Sequence, residues 1–87
     1  LDDRGTRTTV AGMNGFEYAG HFWHVAGGGV RVYDPSRLER EGETADTKLQ
    51  ILVNDRLQVR IMQGRRDVEQ FDYQFASDVI DSALEYL

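Results

Sequence analysis

The run His21-Phe22-Trp23-His24 contains both histidines of the chain. On a helix this spacing puts the two imidazoles on one face, where they could share a metal ion. In a strand the same side chains point to opposite faces, and the pair cannot chelate. Phe16 to Ala26 reads as strand and offers no third ligand at a recognisable spacing. The histidines therefore read as packed or hydrogen-bonded groups, and no metal site is expected. The absence of cysteine removes thiolate nucleophiles, thiolate metal ligands and disulfides. Gly27-Gly28-Gly29 has the composition of a phosphate cradle but lacks its context. Such loops lead into a helix amino end, often through Gly-Lys-Ser/Thr, whereas valine and a strand follow here. Ser36, Ser77 and Ser82 are the serines, and none occupies a Gly-x-Ser-x-Gly elbow. Acidic residues fall in loops, on polar strand positions or on the wet side of a helix. None is isolated in an apolar setting that would raise its pKa for acid–base work. No catalytic residue and no cofactor is assigned, and the chain reads as a non-enzyme.

Two further groups of residues suit recognition rather than catalysis. The first is aromatic: Tyr18, Phe22, Trp23 and Tyr33, with Arg31 between Val30 and Val32. Apolar residues occupy both parities of this region, so both faces must be covered. One terminal helix covers one face, which leaves the other to barrel closure or to a partner. Tyr, Trp and Arg are enriched at interface hot spots. Tyr18, Phe22, Trp23, Arg31 and Tyr33 are accordingly assigned to partner binding, with Phe22, Trp23 and Tyr33 as anchors and a second copy of the chain as the expected partner.

The second group is basic. The net charge is −5, yet Lys48 to Arg66 carries +4 and the remainder −9. Lys48, Arg56, Arg60, Arg65 and Arg66, with Gln50, Gln58, Gln70 and Gln74, form an alternative, nucleic-acid-binding surface, because arginine pairs with phosphate and glutamine bonds bases. No aromatic interleaves there to stack a base, and the acidic remainder repels a polyanion at long range.

The elements that must position these groups follow from periodicity. Leu49, Ile51 and Val53, then Leu57, Val59 and Ile61, then Phe71, Tyr73 and Phe75 alternate with polar residues, which predicts three strands with one oily and one polar face. Asn54-Asp55 and Gln63-Gly64 supply the turns. Upstream, Thr6 to Ala11 reads as a strand and Asn14-Gly15 as its hairpin turn, the strongest short signal of its kind. Phe16 to Ala26 then reads as one long strand, with Gly20 as a bulge or a bend that lets it change sheets. Val30 to Tyr33 is a short strand. Asp34-Pro35 starts a helical turn or two that ends at Gly42, and a polar loop follows. After Phe75 the period shifts to 3.6, which predicts a closing amphipathic helix with Ser77 as cap and Asp78 and Asp81 near its positive pole.

These elements give an α+β domain: an antiparallel sheet or partly open barrel of about six strands, with a carboxy-terminal helix packed on it. Eighty-seven residues make one domain, expected over 6–87 after a loose tail at 1–5. A chain this short buries only about 60–65% of its unfolded surface, so packing or self-association must supply what disulfides do not. No apolar run approaches the length of about 18 residues that spans a membrane, and a cytoplasmic location is expected.

Overall fold

In a computed structural model, which describes residues 4–87, the chain turns back wherever an Ala-Gly, Gly-Gly or Gly-Arg pair interrupts the strand-forming residues. Ala11-Gly12 (φ 51° and 76°) and Ala19-Gly20 (φ 51° and 74°) are two-residue hairpin loops with both residues left-handed. That conformation matches the twist of the strands it joins. Gly27-Gly28 and Gly64-Arg65 close two further hairpins, with Gly27 and Gly64 at positive φ. Between Val53 and Gln58 the side chain of Asn54 organises the loop. Its Oδ1 accepts from the Arg56 and Gln58 amides at 2.9 and 3.0 Å, while Leu57 takes φ 58°.

These turns produce β1 (Thr6–Val10), β2 (Met13–Tyr18), β3 (His21–Ala26), β4 (Gly29–Tyr33), β5 (Leu49–Val53), β6 (Gln58–Gln63) and β7 (Arg66–Asp72). They pair in sequence order as one seven-stranded antiparallel open sheet. The expected α+β class holds, with seven strands in place of about six. Asn14-Gly15 is not a turn: it lies within β2, where Asn14 pairs with Thr9 and Gly15 with Thr8. Gly20 is likewise a hairpin-turn residue, neither a bulge nor a bend between sheets, so the long strand expected over Phe16 to Ala26 is the β2–β3 hairpin of a single sheet. The third meander strand starts earlier than its apolar residues suggested, and Tyr73 to Phe75 lead out of the sheet.

α1 (Pro35–Glu41) lies between β4 and β5. The Asp34 carboxylate accepts from the Ser36 amide at 3.0 Å, Pro35 opens the helix and Gly42 ends it, as expected. The polar stretch after it makes a short 3-10 turn over Gly42–Thr44 and buries Ala45. α2 (Ala76–Leu84) follows β7. Its cap position is Phe75, which bonds no helix amide through its side chain, and Ser77 lies inside the helix.

The two helices cover opposite faces and are staggered along the sheet. α2 sets Val79, Ile80 and Ala83 on Trp23, Val30, Val32, Leu49, Ile51, Val59 and Ile61. On the other face, Leu38 of α1 and Ala45 close over Val10, Phe22 and Tyr33. Of the tail expected over 1–5, residues 1–3 lie outside the described residues. Arg4 donates to Asp81 of α2 at 2.6 Å and stands 6.0 Å above the Tyr18 ring.

Candidate interaction surface

A two-residue loop pairs a residue with one three positions later, so even-numbered residues before the loop share a face with odd-numbered residues after it. Phe16 and Tyr18 of β2 therefore lie on the α2 face beside Trp23 and His21 of β3, while Phe22 points the other way with Tyr33. This explains the aromatic residues on both parities, and all of them but Phe16 and Tyr18 are consumed internally. Phe22 is 0% exposed, Trp23 2% and Tyr33 3%. They present no surface to a partner, which corrects their assignment as contact anchors: α1 supplies the second cover that sequence reasoning left to barrel closure or to a partner. The Trp23 indole N–H donates to the Tyr18 carbonyl at 3.0 Å and completes its burial. Of the five assigned residues, Arg31 remains exposed and Tyr18 half-buried under Arg4.

The histidines diverge as strand geometry requires. The Nδ1 of His21 donates to the Ala19 carbonyl at 2.9 Å, and that of His24, on the α1 face, to the Asn14 carbonyl at 2.7 Å. Among the described residues no group of three or more His, Cys, Asp or Glu side chains is placed to hold a metal ion.

The Arg/Gln surface lies on the polar face of β5–β7, and pairing brings acids onto it. Asp67 stands across from Met62 and Asp72 across from Gln58. Arg60 Nη2 bonds both oxygens of Asp67 at 2.9 and 3.0 Å, and Gln70 donates to the same carboxylate at 3.1 Å. Arg60 is thus neutralised within the sheet. Lys48, Arg56, Arg65 and Arg66 are exposed, with Arg56 and Arg65 in loops.

The stagger of the helices leaves bare sheet at the opposite end. On the α2 face, the core that α2 covers reaches β2 only at Tyr18 and leaves out β1, the rest of β2 and the far end of β3. Arg7, Thr9, Asn14, Gly15, Phe16 and Val25 line a hollow of about 510 Å³ there. Val25 is 50% exposed although its cross-strand partner Val30 is buried. The Arg7 guanidinium lies 5.7 Å from the Phe16 ring centroid, and Thr9 donates to the Asn14 side-chain oxygen at 3.0 Å. Gly15 adds only backbone to the floor; its Cβ position faces the α1 side, where a side chain would stand 2.3 Å from the Trp23 carbonyl and 2.8 Å from the Phe22 ring. Sequence reasoning passed over this group because the Asn14-Gly15 turn it assumed separates Phe16 from Arg7 and Thr9. The dipeptides Ala11-Gly12 and Ala19-Gly20 carry the signal that would have found it.

One buried feature lies at the far end of α2. A bulge at Val68 turns Glu69 toward the α2 face opposite Ile61, where its Oε2 is buried without a hydrogen-bond partner. The Tyr86 hydroxyl beside it donates to the Val68 carbonyl at 3.2 Å. Burial first, then the Glu69 carboxylate and Glu85, raise the Tyr86 hydroxyl above its ordinary pKa of 10.0.

No family model matches the chain, and no curated protein or solved structure is significantly similar to it.

Proposed function

We propose that this domain is a small non-catalytic interaction module that self-associates through the β1–β3 end of its sheet. The observation that carries the reading is the staggered cover. Each helix protects one half of one face, and the half left bare on the α2 face is a hollow lined by Phe16, Val25, Thr9, Asn14 and Arg7. An exposed valine beside an aromatic ring and an arginine has the composition of an interface centre. The Arg/Gln face supports a nucleic-acid reading less well, because Arg60 is spent on Asp67 and Asp72 shares that surface.

Sedimentation velocity over a range of concentrations tests the proposal. The weight-average mass is expected to rise from 9.9 kDa toward twice that value. A mass that stays at the monomer value up to about millimolar protein, where even weak association is populated, would sink it.

A further inference from the structure

The sheet has two edges, β1 and β7, and they differ in kind. β7 is interrupted by the bulge at Val68 and carries Arg66, Asp67, Glu69 and Asp72. Bulges and charges are the devices that keep an edge from pairing. β1 reads Thr-Arg-Thr-Thr-Val, with strong strand formers, one charge and a register against β2 that runs without a shift. Among the described residues no strand pairs with its outer side.

The direction of its backbone groups follows from the turn. A two-residue hairpin loop is closed by hydrogen bonding between its flanking residues, here Val10 and Met13. Hydrogen-bonded and non-hydrogen-bonded pairs alternate along an antiparallel ladder. Thr8 and Thr6 therefore bond inward to β2, and Arg7 and Thr9 direct their N–H and C=O groups outward.

We propose that the occupant of this edge is β1 of a second copy, antiparallel and centred on Thr8. This rests on the self-association argued above and specifies its geometry. Outward groups must meet outward groups, which limits the full-length registers to centres at Arg7, Thr8 or Thr9. Centring on Arg7 sets two guanidiniums opposite each other, which is destabilising. Centring on Thr9 carries Thr6 past the end of the partner strand. Centring on Thr8 pairs Thr6 with Val10 and Arg7 with Thr9, uses the whole strand and opposes no like charges. The Arg7/Thr9 pair and its symmetry mate exchange the hydrogen bonds, and the two Thr8 residues face each other as a non-hydrogen-bonded pair. The two-fold axis of such a pairing is normal to the sheet, so both bare hollows come to the same side and flank the seam. The edge and the hollow then belong to one continuous surface.

Cysteine substitution tests the register, on a chain that has no other cysteine. Facing residues of a non-hydrogen-bonded pair have Cα atoms about 4.5 Å apart, inside the range of roughly 4.4–6.8 Å that a disulfide spans. Thr8→Cys is expected to form a covalent dimer under mild oxidation at least about tenfold faster than Arg7→Cys or Val10→Cys, whose mates are offset along the partner strand by two and four residues. Thr9→Pro removes an outward donor without taking a bond from the β1–β2 ladder and is expected to weaken association about tenfold or more. A dimer that crosslinks no faster at Thr8 overturns the edge pairing while leaving self-association intact, and so does one indifferent to Thr9→Pro. A chain that stays monomeric at every concentration removes both. If Thr9→Pro does not fold, the cysteine series decides alone.

Discussion

Ala11 and Ala19 each occupy a left-handed backbone position with an exposed side chain. An L residue with a Cβ is disfavoured there by about 1–2 kcal/mol, whereas asparagine tolerates the conformation and favours this turn type before glycine. Both side chains are exposed, so replacement forfeits little burial. Ala11→Asn combined with Ala19→Asn is expected to add about 1–2 kcal/mol, which for a domain of this size raises Tm by about 5 °C or more. Thermal and urea unfolding of the double variant check this, and an unchanged Tm would mean the turns are not strained. The same residues mark where the sequence misleads. Asn14-Gly15 carries the stronger local preference, yet turns at 11–12 and 19–20 give three short strands in which every aromatic but Phe16 and Tyr18 is buried. A turn at 14–15 would leave the long run after it without a partner of matching length. Tertiary pairing decides between dipeptides whose local preferences differ by only about a kilocalorie.

At the scale of elements, the strands of the meander and the closing helix were legible because alternation and a 3.6 period report burial directly. The role of α1 was not. Its start and stop were plain in Asp34-Pro35 and Gly42, but seven residues with one buried apolar side chain, Leu38, give no hint that they seal a second core. That core is small, so the loss is concentrated: Leu38→Ala is expected to cost about 2–5 kcal/mol. A domain of this size has only about 4–13 kcal/mol in total. Urea unfolding measures the loss, and dye binding should report the uncovered Phe22 and Tyr33; a cost below that of a surface substitution would show that α1 does not hold this face. The far end of α2 responds to pH through Tyr86. Its folded pKa lies above the ordinary 10.0, so the stabilisation its neutral hydroxyl provides is complete below pH 10 and is lost as pH rises through the folded value. Stability between pH 8 and 11 should therefore fall more steeply in the native chain than in Tyr86→Phe. Parallel curves for the two proteins would remove the hydroxyl from the linkage.

At the scale of the whole molecule, the charge and the proposed contact act against each other. Each copy carries −5, and its principal extents are 34, 29 and 23 Å. At about 0.01 M salt the screening length is about 30 Å, so nearly every charge of one copy repels the other. At 0.15 M it is about 8 Å, and only groups near the seam are felt. The seam at β1 is made of peptide groups, threonines and one arginine opposite a threonine, so screening removes repulsion there and weakens no ion pair. Association is therefore expected to tighten as salt rises between these concentrations, by a factor measured in sedimentation equilibrium. A basic surface engaging a polyanion behaves oppositely, because salt competes with every phosphate contact. A nucleic-acid complex through Lys48, Arg56, Arg65 and Arg66 would weaken steeply over the same interval. If self-association instead weakened with salt, opposite charges would have to face each other across the contact. The basic loops at Arg56 and Arg65 meeting the acidic outer side of α2 would then describe it better than β1.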